Sequence, residues 1–326
     1  MAKAAKGKRE FLGLRLRPWG LLTAAGALSG VGTFVGFLGG LWWPLDLFSH
    51  FRAQYFLAIA LIAVILGIAK KRRPALILGA ISLVNLGVIL PLYFGGSPAG
   101  APGDSSPLRA LLLNVNTKLG DPPRVLRLIE ETDPDFLILE EINSEWMQKL
   151  APLQSTYPYR IVRTRGDNFG IGLFSKVPLA RAEIVYVGDA YVPSVIAAVE
   201  IEGRTLNIFA THPPPPGSRE STHWRDDQLA SIPDFLRDLS SPILLIGDLN
   251  VTPWSYHYRK LLKGTGLRDS SRGRGLQPTW PADIPLLWIP IDHCLYSDGI
   301  EIRGRRTGPD VGSDHFPLIV DFQLVE

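Results

Sequence analysis

The sequence predicts an α/β fold, a four-layer α/β sandwich of two packed sheets with helices outside, preceded by a three-helix transmembrane anchor. Three observations predict it. Uncharged apolar stretches run over residues 19–43, 53–69 and 74–94. Beyond residue 107 the chain changes to short apolar runs, eleven of them strand-like, with only four helical patterns between them. Several of those strands end on carboxylates, amides or imidazoles, which a bland core does not need.

The anchor takes residues 1–94. Its first and third stretches have the ~20 residues that a membrane-spanning helix needs. The second has 17, and Arg52 and Lys70 at its ends would snorkel to complete the span. A cleaved signal peptide does not account for the first stretch, which is too long and is followed by two more. Lys3, Lys6, Lys8, Arg9, Arg15 and Arg17 precede the first span, and Lys70, Lys71, Arg72 and Arg73 separate the second from the third. The loop between the first two holds only Asp46 and Arg52. Excess Lys and Arg mark the cytoplasmic side. The N-terminus is therefore expected in the cytoplasm, and the C-terminal domain on the outer face of the cell membrane. Gly26, Gly30, Gly32, Gly36 and Gly40 have spacings suited to close helix packing within this bundle.

Residues 95–107, GGSPAGAPGDSSP, form a flexible linker. Such a segment spans only ~20 Å, which holds residues 108–326 close to the bilayer. The net charge of +3 belongs to the anchor: residues 1–104 carry 11 basic and 3 acidic residues, leaving 23 basic and 28 acidic, about −5, beyond them. That balance excludes the domain-wide basic footprint of a strong non-specific DNA binder. A local cluster of Arg259, Lys260, Lys263, Arg268, Arg272 and Arg274 admits two readings, a solvated helix end or a docking surface for anionic headgroups or nucleic acid. Cys294 is the only cysteine, so a disulfide-stapled fold is impossible. Within IDHCLY it reads as a small core residue.

Strands are expected at 110–115, 136–140, 159–162, 170–174, 181–187, 194–201, 205–210, 243–246, 291–296, 300–303 and 317–324. Helices are expected at 123–131, 144–150, 221–239 and 254–262, with Asp121 and Ser221 as N-caps.

Five of the strands finish in polar groups. ALLLNVN delivers Asn114 and Asn116, and DFLILEEIN delivers Glu140 and Glu141. A carboxylate ending a buried strand is a hard ligand for Mg²⁺ or Mn²⁺. LNIFATHPPPP presents His212 ahead of four stiffening prolines. ILLIGDLNVTP exposes Asp248 and Asn250, which alternate and so would face one side of an extended chain. IPIDHCLYS buries Asp292, an acid that needs a partner, and His315 of GSDHFPL is the candidate. Together these residues suit metal-assisted hydrolysis of a phosphate ester. Glu141, Asn114 and Asp314 would hold the cation. Asp248 would orient or deprotonate the attacking water while Asn250 donates to the phosphate. His315, kept charged by Asp292 and assisted by His212, would stabilise the developing negative charge. No G-x-S-x-G elbow is present for a serine nucleophile.

The ordered set LLLNVN, DFLILEEIN, FATH, LLIGDLNVTPW, PIDHCLYS and GSDHFPL resembles the endonuclease/exonuclease/phosphatase (DNase I-like) superfamily over residues 108–326. The resemblance implies a DNase I-like sandwich with Asn114 and Glu141 as the metal-site pair and Asp248 and Asn250 as the GDxN motif. It also implies Asp292 as partner of the terminal histidine, Asp314 and His315 as the closing dyad, and His212 as an active-site histidine. Glu140 departs from the pattern, standing where many members have Gln. The anchor, with THPPPP, resembles the membrane-anchored VanJ/YafD-like branch, which implies lipid-linked phosphate chemistry.

The expected protein is therefore a membrane-anchored, Mg²⁺- or Mn²⁺-dependent phosphoesterase whose partners are membrane lipids and a phosphate-ester substrate, either a lipid phosphate or DNA. An endonuclease acting on extracytoplasmic DNA and a non-catalytic envelope binding protein are the alternatives.

Overall fold

The computed structural model describes residues 18–95 and 107–325. The basic residues before Pro18, and all of the expected linker except its two end residues, lie outside them. Four helices precede the sandwich: α1 (Pro18–Val35), α2 (Trp43–Leu47), α3 (Arg52–Ile68) and α4 (Arg72–Ile89). With their short extensions they form three stretches, Pro18–Leu38, Trp43–Ile68 and Arg72–Leu92, each long and apolar enough to cross a membrane.

Gly26, Gly30 and Gly32 of α1 face its neighbours. A Cβ on Gly26 would lie 2.6 Å from the Leu78 side chain, and one on Gly32 would lie 2.7 Å from the Tyr55 hydroxyl. Side chains there would force the helices apart, so these small residues serve packing within the bundle, whereas Gly40 meets the Tyr256 ring of the sandwich, where a Cβ would lie 2.9 Å away. Arg52 corrects the expectation that it snorkels. The second apolar stretch begins at Trp43 rather than Ala53, and Arg52 lies inside the helical bundle. It is 1% exposed. Its Nη1 donates to Thr33 O at 2.6 Å, and its guanidinium lies 4.1 Å from the Phe37 ring centroid. A buried charge requires such partners.

The remaining helices are α5 (Pro122–Thr132), α6 (Ser144–Lys149), α7 (Arg219–Leu236) and α8 (Tyr256–Thr265). The strands are β1 (Leu108–Asn114), β2 (Phe136–Glu140), β3 (Tyr159–Arg163), β4 (Ile171–Ser175), β5 (Leu179–Tyr186) and β6 (Pro193–Ile201). They continue as β7 (Arg204–Thr211), β8 (Ile243–Asp248), β9 (Arg268–Asp269), β10 (Asp292–Tyr296), β11 (Ile300–Thr307) and β12 (Leu318–Leu324). All eleven expected strands form. The twelfth, β9, is two residues long, too short to leave a pattern.

Two six-stranded sheets result, in the orders β11-β12-β1-β2-β4-β3 and β5-β6-β7-β8-β10-β9. Alternating residues build the layers. Ala110 and Leu112 of β1 enter the core between the sheets, while Leu111 and Leu113 meet α5 and α6 on the outer face. In the second sheet Leu244 and Ile246 point inward, and Leu245 packs toward α7 and α8. Strands buried on both faces read as continuous apolar runs, as LLL and ILLI do. Cys294 lies in the central core.

Helix ends show where local chemistry wins. Asp121 caps α5 by accepting the N–H of Arg124 at 3.2 Å, a contact worth about 1 kcal/mol. The expected cap Ser221 is not the cap of α7. Ser218 is, in a reciprocal box: Ser221 N donates to Ser218 Oγ at 3.1 Å, and Ser218 N to Ser221 Oγ at 3.0 Å. Helix α8 begins two residues later than expected, capped by Ser255, and Trp254 before it packs against Ile89 and Leu92 at the end of the third apolar stretch.

The N-terminal helices and the sandwich share buried polar contacts. Asp46 and Arg225 are both fully buried, 3.4 Å apart, and Ser255 Oγ donates to Asp46 at 2.8 Å. Arg225 Nη1 in turn donates to Asn250 O at 3.1 Å. Removing one partner of such a pair costs about 3–5 kcal/mol, because the other charge is left buried.

Candidate active site

Strand register sets the site. In the parallel pair β1–β2, Asn114 stands opposite Glu140; in the antiparallel pair β8–β10, Asp248 stands opposite Asp292. The two pairs belong to different sheets, yet Asn114 Nδ2 lies 3.3 Å from Asp248 Oδ2. Gly247 permits this closeness. A Cβ there would fall 1.9 Å from Thr211 O and 3.0 Å from a Glu140 carboxyl oxygen.

Asp248 is the hub. Its Oδ2 is 3.5 Å from His212 Nε2 and 3.6 Å from His315 Nε2, and its Oδ1 accepts the backbone N–H of Asn250 at 2.9 Å. Burial disfavours its charge, but His315 and then His212 outweigh burial and hold the carboxyl below its usual range. His315 Nδ1 bonds Asp292 Oδ2 at 2.9 Å. Burial works against the imidazolium, yet Asp292 and then Asp248 raise it to about 10. His212 follows the same logic: burial opposes its charge, while its bond to Asp248 and the Glu140 carboxyl raise it to about 9. Both imidazoles are therefore cationic at neutral pH.

Glu140 behaves oppositely. Burial pushes its carboxyl up to about 8, with the charge of His212 pulling down and those of Asp248 and Asp292 adding to the rise. Its oxygens accept the backbone N–H of Asp248, as a carboxamide oxygen would, so the glutamate keeps the contact open to the Gln that the resemblance leads one to expect.

Glu141 sits just past β2 at φ +60°, a left-handed conformation that costs a non-glycine residue about 1–2 kcal/mol. The turn aims its carboxylate back at β1, where Asn114 Nδ2 donates to Oε1 at 2.9 Å. Backbone strain of this kind gathers at functional sites. Asn116, at φ +46°, uses its Nδ2 to donate to Asp314 Oδ1 at 2.8 Å, and Trp280 Nε1 donates to Asp314 Oδ2 at 3.1 Å. Ser313 Oγ closes the turn on Asn114 O at 2.7 Å.

The structure thus joins Asn114, Glu141, Asp248, Asp292, His212 and His315 in one network, with Asp314 attached through Asn116. Asn250 corrects an expectation. At φ +52° it has left the extended chain, so the argument that it shares a face with Asp248 fails. One hydrogen of its amide is engaged by Pro213 O at 2.9 Å. Asn116, Trp280 and Ser313 were not among the expected site residues. Asn116 stood in the LLLNVN motif, whereas nothing in the sequence marked Trp280.

Two groups could be weighed as a cation site. Ligand atoms of Asp248, Asp292 and His315 all lie within 4.8 Å of one another. A protonated imidazole offers no lone pair, so that trio suits charge pairing better than metal. Glu141 and Asp314 are half-buried, form no ion pair among the described residues, and are hard oxygen donors beside two amides. That donor set fits Mg²⁺ or Mn²⁺.

The model of the Endonuclease/Exonuclease/phosphatase family matches residues 111–315, from β1 to the histidine of the closing dyad. The chain belongs to this family. Members are hydrolases acting on phosphate esters. No curated protein matches the chain. Among solved structures, an endonuclease/exonuclease/phosphatase from Beutenbergia cavernae is 19% identical, with a TM-score of 0.54 over 67% of this chain and 72% of that one. The human Nocturnin catalytic domain with bound sulfate is 18% identical, with a TM-score of 0.55 over 67% and 95%. Sphingomyelinase C from Streptomyces griseocarneus is 19% identical, with a TM-score of 0.51 over 67% and 99%. These likenesses establish the DNase I-like sandwich.

Proposed function

We propose that this protein is a membrane-anchored, divalent-metal-dependent phosphoesterase that hydrolyses a lipid phosphate or lipid-linked phosphate at the outer face of the membrane. The observation that carries the reading is the joint between anchor and catalytic domain. Gly275 N donates to Leu92 O at 2.7 Å, and Gln54 Nε2 donates to Trp288 O at 2.8 Å, so the sandwich is held against the end of the third apolar stretch and the side of the second. Arg259 and Arg272 line a cavity with Val88 and Leu92, where the third span ends, a position suited to anionic headgroups. The likeness to Sphingomyelinase C from Streptomyces griseocarneus supports the reading.

In the proposed reaction Asp248, kept ionised by two imidazolium groups, orients or deprotonates the attacking water. His315, held charged by Asp292, faces the negative charge that develops on the phosphoryl oxygens, and His212 supports it. The free amide hydrogen of Asn250 donates to the phosphate. Glu141, Asn114 and Asp314 would hold the metal, which when bound supplies Lewis-acid polarisation of the ester. The N-terminus lies in the cytoplasm and residues 108–326 outside it, by the distribution of Lys and Arg.

The test is a parallel assay of the purified full-length protein in lipid nanodiscs with Mg²⁺, against phospholipid, polyprenyl diphosphate and plasmid DNA. Phosphate or headgroup release from a lipid is expected. Cleavage of DNA alone overturns the proposal. External protease applied to right-side-out vesicles is expected to digest the catalytic domain, and complete protection contradicts the assigned side.

A further inference from the structure

A cavity of about 250 Å³ lies between the anchor and the active site, lined by His50, Pro215, Asn250, Trp280, Ile289 and Ile291 among others. Its walls come from both parts of the chain. His50 belongs to the short turn between α2 and α3, inside the apolar stretch Trp43–Ile68. Its Nδ1 is bonded to Thr252 Oγ1 at 3.0 Å, two residues past Asn250 in the chain. It is 5% exposed, and its Nε2 is buried with no hydrogen-bond partner among the described residues. A buried imidazole nitrogen without a partner is costly unless a ligand meets it.

Trp280 connects this cavity to the catalytic groups, because the same indole donates to Asp314. Trp280 and Ile289 are paired through their backbones, Ile289 N to Trp280 O at 2.7 Å, and close the base of the loop 281–288. That loop shows apolar side chains to the outside: Ile284 is 44% and Leu286 83% exposed. Gln54 of α3 ties the loop to the second span. A site beside the catalytic residues, with mostly apolar walls that include the His50 ring, is thus bordered by an apolar helix and an exposed apolar loop. At about 250 Å³ it is slightly smaller than the ~300 Å³ at which pockets for whole drug-sized ligands begin, so it suits a segment of a larger molecule.

We propose that this cavity is the subsite for the part of a lipid-linked phosphate next to the scissile group. The first carbons of the chain would lie against Trp280, Ile289 and Ile291, and an ester or bridging oxygen would meet His50 Nε2. The anchor is then part of the substrate site as well as a tether, and substrate reaches the catalytic groups without its chain leaving the bilayer. The inference rests on the lipid-phosphate reading above and adds to it a specificity-determining residue from the membrane segment.

The experiment uses the full-length protein in nanodiscs with Mg²⁺ and a long-chain alkyl phosphate bearing a diazirine on the third carbon of its chain. After photolysis, label is expected in peptides containing His50 or residues 280–291. It should fall at least fivefold in His50→Ala and in Pro216→Trp, the second being a loop variant that fills the cavity without touching a core strand. Label confined to the outer faces of the spans, or unchanged in both variants, overturns the subsite. Hydrolysis of lipid with label elsewhere removes the subsite and leaves the proposed function standing. Label in the cavity without hydrolysis of any lipid keeps the subsite and removes the function.

Discussion

Glu140 accepts the backbone N–H of Asp248 at 3.1 Å, a bond from one sheet of the sandwich to the other. It fixes the strand that presents the central carboxylate, and it does so with a side chain that burial has raised from 4.5 to about 8. The folded state therefore binds a proton between those values that the unfolded state has released. Stability from this group is full below about 4.5 and is lost as pH rises through about 8. Glu140→Gln keeps both the shape and the accepting oxygen. It should retain activity within about threefold and abolish that part of the pH dependence of thermal unfolding measured in EDTA. Glu140→Ala, which leaves a buried N–H unmatched, should cost about 1–3 kcal/mol.

Glu141 is strained for a purpose, on this account. Asn tolerates left-handed backbone far better than Glu does. Glu141→Asn should leave stability unchanged or raise it by about 1 kcal/mol, while moving the Mg²⁺ or Mn²⁺ concentration for half-maximal activity upward by at least about tenfold, since a carboxylate ligand is lost. Metal titration of the rate, beside a melting curve, reads both. Unchanged metal dependence would show that Glu141 is not a ligand.

The pairing of His315 with Asp292 should appear in the pH profile. Asp292→Asn removes the largest charge that opposes burial, so the imidazole loses its proton at lower pH than about 10. A fall in kcat of about 10²–10³ is expected, with the alkaline limb moved to lower pH. A profile of unchanged shape would contradict the role given to Asp292.

Arg225 makes no contact with substrate in this scheme, yet it joins Asp46 of the anchor to the backbone of Asn250. Arg225→Ala should lower stability in detergent by about 3–5 kcal/mol. The double variant Asp46→Ala with Arg225→Met should recover part of that loss, because Asp46 is no longer left buried without its partner, while Asp226 keeps His257 at 3.2 Å.

Much of this was legible in the sequence, and the reasons are specific. The strands carrying Asn114, Glu140, Asp248 and Asp292 are buried on both faces, so they stand out as apolar runs closed by polar residues. The DNase I-like motifs fall within the stretch that the family match covers. What was hidden depends on contacts distant in the chain. Arg52 looked like the end of a span because its partners, Thr33 and Asn85, come from other helices. Asn250 looks extended only if the alternation of β8 is carried past its end at Asp248, although asparagine is a residue that left-handed backbone favours. Trp280 and His50 belong to segments without a motif, and their nearness to Asp314 and Thr252 arises only on folding.

The central claim is that Asp248 organises a metal-dependent phosphoesterase. It is tested most directly by the rate of phosphate-ester hydrolysis by the full-length protein in Mg²⁺-containing nanodiscs, wild type against Asp248→Asn. The account predicts hydrolysis that EDTA abolishes and Mg²⁺ restores, and a loss of at least about 10³-fold in the variant with folding intact. Activity that persists in EDTA, or in Asp248→Asn at the wild-type rate, would contradict it.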